Sequence, residues 1–151
     1  MESFENKIAV VTGGGTGMGR ELVCQLIAAG AHVAMCDVSQ ENMDETLRLA
    51  NAGEQRLTHH LCDVSEEAQM LAFRDEVMAQ HHTAHINLLF NNAGIGGGGS
   101  FVKGDRDEWE RTYAVCWDGV YFGCRAFLDA IVASDEGHIV NTSSVNGFWA
   151  S

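Results

Sequence analysis

Apolar residues run unbroken from Ile8 to Val11, inside "KIAVVTG". A short β-branched run without alternation suits a parallel strand covered on both faces, so a first strand is predicted over Lys7 to Gly13. The period then changes. From Met18 onward Leu22, Val23, Leu26 and Ile27 fall at helical spacing, and Gly30 supplies a natural stop. "HVAMCD" (His32 to Asp37) reads as a second strand, a third carries His59 and His60, "INLLFNNA" (Ile86 to Ala93) is a fourth and "GHIVNTSS" (Gly137 to Ser144) a fifth. Helices fill the gaps, with Met43, Leu47 and Ala50 inward in one and Met70, Phe73 and Val77 inward in the next. A long helix is predicted from about Asp105 to Ala133, where Trp109, Tyr113, Cys116, Val120, Cys124, Phe127 and Ile131 keep 3-to-4 spacing.

This alternation of strand and helix predicts an α/β fold: a Rossmann-type, doubly wound parallel sheet with right-handed crossovers and strand order 3-2-1-4-5. The tripeptide "DVS" occurs twice, at Asp37 to Ser39 and Asp63 to Ser65, each time between a strand and an acidic helical turn. In both copies the serine is expected to cap the helix, and Glu41, Glu66 and Glu67 suit its positive end.

In such a sheet the ligand crevice lies at the carboxyl ends of the strands where their order reverses, between the first and fourth. "TGGGTGMG" sits there. Its glycines let the backbone approach a bulky anion, and the helix that starts near Thr16 or Gly17 points unpaired amides at the same spot, which suits a pyrophosphate. Gly13, Gly15, Thr16, Gly17, Met18 and Gly19 are therefore candidate cofactor-binding residues. Asp37 ends the second strand 18 positions after Gly19, near the roughly 20 expected of a carboxylate that accepts hydrogen bonds from the adenosine ribose. A helix-entry turn role for Asp37 is compatible with that one. A ribose 2′-phosphate would meet negative charge there with no Lys or Arg flanking it, so NAD is favoured over NADP. Arg20 is read as a solvated or ion-paired side chain.

Composition narrows the partners. The 151 residues suit a single domain, and a formal charge of −12 without a basic cluster disfavours nucleic acid and anionic membrane as partners. No segment has the about 18 apolar residues of a membrane span, and "MESFENK" lacks the pattern of a signal peptide, so a cytoplasmic location is expected. Five scattered cysteines without C-x-x-C spacing are read as reduced thiols, with no metal site.

Four segments together resemble the short-chain dehydrogenase/reductase family: Thr12, Gly13, Gly17 and Gly19 in the glycine turn, "CDV" at Cys62 to Val64, "NNAG" at Asn91 to Gly94, and the fifth strand "GHIVNTSS". The resemblance implies that Asp63 and Val64 hold the adenine, that Asn92, Ala93 and Gly94 border the cofactor, and that Ser144 is the catalytic serine. It also implies reversible hydride transfer between NAD(H) and a secondary alcohol or ketone. That chemistry needs a general base and a donor that steadies charge on the substrate oxygen. The family's base is a tyrosine with a lysine four residues on, expected about a dozen residues after Ser144. Tyr113 and Tyr121 lack that lysine and lie in the preceding helix. We therefore expect residues 1–151 to be the N-terminal, NAD-binding part of a domain of about 250 residues. The rival readings are a dinucleotide-binding module without catalysis and a methyltransferase, the latter leaving "NNAG" and "NTSS" without a role.

Cys116 stands where the family usually places an asparagine that braces a proton path. Either that path is rerouted or weakened, or Cys116 is core. Gly119 and Gly123 allow close approach of another helix, which fits a homo-oligomer (dimer or tetramer), or of the sheet of the same chain. "HHTAH" (His81, His82, His85) is read as a polar helix end rather than a metal site. "GGGGS" (Gly96 to Ser100) is either a hinge or a connector, and Phe101, Phe148 and Trp149 hint at an apolar substrate pocket.

Overall fold

The computed structural model describes residues 1–53, 56–97, 100 and 102–147. Five strands, β1 (Ile8–Thr12), β2 (His32–Asp37), β3 (Leu57–Leu61), β4 (Leu88–Asn91) and β5 (His138–Asn141), form one parallel sheet in the order β3-β2-β1-β4-β5. This is the predicted 3-2-1-4-5 order. Helices α1 (Gly17–Ala28), α2 (Gln40–Ala50) and α3 (Glu67–Gln80) connect the first four strands. Between β4 and β5 lie α4 (Arg106–Tyr113), a π-helical turn (Ala114–Asp118) and α5 (Gly119–Val132).

Neighbouring residues of a strand point to opposite faces, and this divides the core in two. Ala9, Val11, Val33, Met35 and Leu88 meet Val23, Leu26 and Ile27 of α1 and Met43 of α2 on one side. Val10, Ala34, Cys36 and Leu89 meet Met70, Phe73 and Val77 of α3 and Phe127 and Ile131 of α5 on the other. The inward residues expected of the first three helices therefore face the sheet, with Leu22, Leu47 and Ala50 packed at its margin. Gly30 ends the first crossover with φ +92°.

The long helix departs from its predicted stripe. Gly119 donates its backbone N–H to Ala114 O, five residues back, so one extra residue enters the turn. That insertion rotates the two halves against each other. Phe127 and Ile131 are buried, whereas Trp109, Tyr113 and Cys116 are exposed, so Cys116 is not a core residue. Gly119 and Gly123 face inward: a Cβ on the first would stand 2.7 Å from Val64 Cγ2, and one on the second would overlap the Asn91 side chain. These glycines therefore serve packing within the chain.

Candidate functional site

Because β1 leads to β2 on one side while β4 leads to β5 on the other, the loops after β1 and β4 diverge and leave a crevice between them. A cavity of about 450 Å³ opens at this carboxyl edge. The turn after β1 contributes Gly13, Thr16, Gly17, Met18 and Gly19 to its lining, and Asp37, Asp63, Val64, Asn92, Ala93 and Gly94 come from the ends of β2, β3 and β4. Of the residues expected to hold a cofactor, Gly15 is not in the lining; its N–H donates to Asp37 Oδ2 at 3.0 Å. Ser144 lies at the same edge beyond β5, exposed and outside the lining.

Two side chains weld the loops together. Thr12 Oγ1 accepts from the backbone N–H of Asn92 and of Ala93, both at 3.0 Å, and donates to Phe90 O. Asn92 Nδ2 donates in return to Thr12 O at 3.1 Å and lies 3.4 Å from Gly13 O. Gly13 takes φ +68°, and a Cβ there would stand 2.8 Å from Ala93 Cα; one on Gly19 would overlap the Gly13 carbonyl. Only a chain without side chains at these points can bring the two loops this close.

Helix α1 begins after Thr16, whose side chain makes no capping bond. The first-turn amides of Gly17, Met18 and Gly19 therefore lack helical partners at the cavity wall, with the positive end of the helix behind them. Asp37 closes the β2 end of the cavity, its Oδ1 accepting from Ser39 N–H at 3.1 Å and its Oδ2 from Gly15 N–H. Both oxygens of this carboxylate are thus oriented by the backbone around it. Cys62 lines the cavity, and a hydrogen bond with the buried Cys36 thiol behind it holds Cys62 below the usual thiol range. The same bond, with burial, pushes Cys36 well above it.

The two DVS serines differ. Ser39 Oγ accepts from Asn42 N–H and caps α2 as expected. Ser65 does not cap α3: its hydroxyl donates to Asp63 Oδ1 at 2.6 Å, and the cap position falls on Glu66. Arg20 is half-buried and donates to Gly15 O, Asn42 O and Thr46 Oγ1 rather than to a carboxylate. Among the described residues no His, Cys, Asp and Glu cluster suits a metal ion. His81 hydrogen-bonds Thr58 and the buried His60 ring bonds Glu76.

Sequence reasoning missed Arg111 and Val115, which line the cavity from the long helix, and Ile95, which follows "NNAG" directly. Arg111 is the one basic residue among the described residues of the lining. Nothing local marks it, because its place depends on where the helix crosses the sheet edge. Cys116 Sγ lies 3.6 Å from Ile95 O, at the margin of the same cavity. Phe101, Phe148, Trp149 and, within the "GGGGS" stretch, Gly98 and Gly99 lie outside the described residues.

An anion cradle of free amides, a side-chain-free turn and a carboxylate across from it fit the two ends of an adenosine diphosphate. Residues 7–151 match the family model described as short chain dehydrogenase. The chain belongs to the short-chain dehydrogenase/reductase family. Within that family it is 41% identical over 150 residues to SadH of Mycobacterium tuberculosis, a protein named as an oxidoreductase, covering 99% of this chain and 54% of that one. A short-chain dehydrogenase/reductase from Burkholderia phymatum in complex with NAD superposes with a TM-score of 0.92 at 32% identity, covering 100% of this chain and 53% of the other. A metagenomic short-chain oxidoreductase in complex with NADP gives a TM-score of 0.86 at 33% identity, covering 96% and 66%. The chain thus spans about half the length of the curated relative it matches. A nicotinamide dinucleotide is the cofactor of these family members with solved complexes.

Proposed function

We propose that the chain is the cofactor-binding part of an NAD(H)-dependent oxidoreductase that interconverts a secondary alcohol and a ketone. The observation that carries the choice of NAD is Asp37. Its carboxylate lines the cavity, and both oxygens are oriented by backbone N–H groups. Arg20, the basic residue beside the glycine turn, spends its donors on Gly15, Asn42 and Thr46, and Arg48 is paired with Glu45. A 2′-phosphate would therefore meet an oriented negative charge, while a ribose diol would meet an acceptor.

When bound, the nicotinamide supplies the hydride acceptor or donor. The chain supplies the rest of the binding. Gly17, Met18 and Gly19 amides hold the pyrophosphate, Asp63 and Val64 receive the adenine, and Asn92, Ala93 and Gly94 border the remainder. Ser144, at the β5 end of the same edge, donates a hydrogen bond to the substrate oxygen. The proton acceptor is assigned to the remaining half of a protein of about 250 residues. Five unbridged cysteines suit a reducing cytoplasm. No helix among the described residues is long and apolar enough to cross a membrane.

We also propose a homo-oligomer, supported by the outward face of the long helix. Tyr113, Trp117, Tyr121, Leu128 and Val132 are all exposed along it. Sedimentation should give more than one chain per particle, and a strictly monomeric result removes this part of the reading.

Calorimetry with NAD and NADP tests the main proposal. Heat with NAD and weaker heat with NADP is the expected result, followed, in the full-length protein that carries the proton acceptor, by growth of reduced-nicotinamide absorbance when secondary alcohols are added. No heat with either dinucleotide overturns it. Binding without turnover of any alcohol would favour a dinucleotide-binding module.

A further inference from the structure

Asp37 is held by a peptide that is itself held from behind. The unit joining Gly14 to Gly15 is planar, with its C=O and N–H on opposite sides. Its N–H, on Gly15, donates to Asp37 Oδ2 at 3.0 Å. Its C=O, on Gly14, lies 3.0 Å from Thr46 Oγ1. Thr46 is fully buried in the middle of α2, and its single hydroxyl proton has Gly14 O, Gly15 O at 3.2 Å and Asn42 O at 3.1 Å within reach. Arg20 completes the arrangement, donating from Nε to Thr46 Oγ1 at 3.1 Å and from Nη2 to Gly15 O and Asn42 O.

Carbonyls of a tight turn that are withdrawn from water need donors, and α2 and α1 provide them here through these two side chains. Tilting the peptide would break the Thr46 contact at one end and the Asp37 contact at the other. The turn also has little slack, since a Cβ on Gly15 would stand 2.8 Å from the Asp37 carboxyl carbon.

We infer that Arg20 and Thr46 are positioning residues that set the preference for NAD over NADP, by fixing the Gly14–Gly15 peptide and through it the Asp37 carboxylate. This inference rests on the proposal that NAD occupies the cavity. Neither residue touches the cofactor. Without them the carboxylate loses its fixed orientation, accepts the ribose diol less well, and can turn away from a 2′-phosphate.

The test is calorimetry of the whole protein with NAD and with NADP, alongside thermal melting. Thr46→Val should weaken NAD binding about tenfold, equivalent to about 1.4 kcal/mol, and narrow the gap between NAD and NADP. Thr46→Ser, which keeps the hydroxyl, should restore both. Arg20→Lys keeps the charge but loses the planar fork, and should narrow the gap as well; it serves should Thr46→Val fail to fold. In an Asp37→Ala background, Thr46→Val should leave the NAD to NADP ratio unmoved, because the group it positions is gone. A lower melting temperature with unchanged affinities would make the pair merely structural and overturn the inference. Wild-type protein that binds neither dinucleotide would instead overturn the NAD reading itself, and the inference with it.

Discussion

Asp37-Val38-Ser39 and Asp63-Val64-Ser65 are the same tripeptide at the ends of adjacent parallel strands, yet the fold gives them different work. At the first, the aspartate faces the glycine turn, the serine caps a helix, and the valine is 67% exposed. At the second, the aspartate holds its own serine, the serine caps nothing, and the valine is 6% exposed under Gly119. Local sequence is identical. What differs is the neighbour: β2 runs beside β1 and its glycine turn, whereas β3 is an edge strand whose following residue Val64 meets Gly119 of the long helix. Function at this sheet edge therefore belongs to the pairing of loops rather than to the tripeptide.

The largest expected difference is in ligand choice. Asp37→Ala should weaken NAD binding by tenfold or more, about 1.4 kcal/mol, and bring NADP to comparable affinity. Asp63→Ala should weaken both dinucleotides alike, since it is assigned to the adenine rather than the ribose. Paired titrations check this, and an altered NAD to NADP ratio in Asp63→Ala would break the contrast.

Acid should separate the two strands next. Behind β3, burial lowers the His81 pKa to about 4, with His32, His60 and His82 adding repulsion, and burial likewise lowers His60 against the pull of Glu76. Both rings gain protons more readily once unfolded. The stability contribution of His81 is thus complete above about pH 6.5 and is lost as pH falls toward 4, and His60 loses its own in the same direction. The steepest slope for one ring is about 1.4 kcal/mol per pH unit, reduced here because His81 retains solvent contact. Hydrogen exchange across this range should show β3 and α3 losing protection before β1 and β2, and His81→Gln should flatten the dependence. Equal loss in both regions would remove the distinction.

How much of this was legible in the chain follows from where each signal resides. The strands, their order and the side-chain-free turn are local, carried by unbroken apolar runs such as Ile8 to Val11 and by glycines at a strand-to-helix joint. Thr12 and Asn92 were visible as motif members, but their welding of two loops depends on a contact across 80 positions. The π turn left no trace, because one extra residue in an apolar helix does not change its composition, and so Trp109, Tyr113 and Cys116 were placed on the wrong face. Arg20 was misjudged for a related reason: its partners, Asn42 and Thr46, sit on the next helix. Arg111 reaches the cavity only through the path of a helix that sequence spacing cannot aim.

The valines sharpen the comparison by packing alone. Val64→Ala should cost about 1.5 kcal/mol, because its methyls fill the space left by Gly119, while Val38→Ala should stay within about 0.5 kcal/mol. Denaturant melts of the two variants measure the difference directly. Matching losses would mean that Val38 is covered in solution by something beyond these contacts.

The serines give the smallest effect and the strictest version of the same test. Ser39→Ala removes the acceptor for Asn42 N–H at the start of α2 and should cost about 1 kcal/mol. Ser65→Ala removes no cap. It frees Asp63 Oδ1 of one donor while Ser65 N–H continues to hold that oxygen, so a loss below about 0.5 kcal/mol is expected. Because the two substitutions delete the same hydroxyl from the same tripeptide, any intrinsic effect of serine on the unfolded chain cancels between them. What remains is the neighbour: Asn42 stands three residues along in the helix that Ser39 opens, whereas the helix after Ser65 starts one residue too late for its hydroxyl to serve. Equal costs would show that the cap contributes nothing beyond local chain preference, and the difference between the two joints would then rest on Asp37 alone.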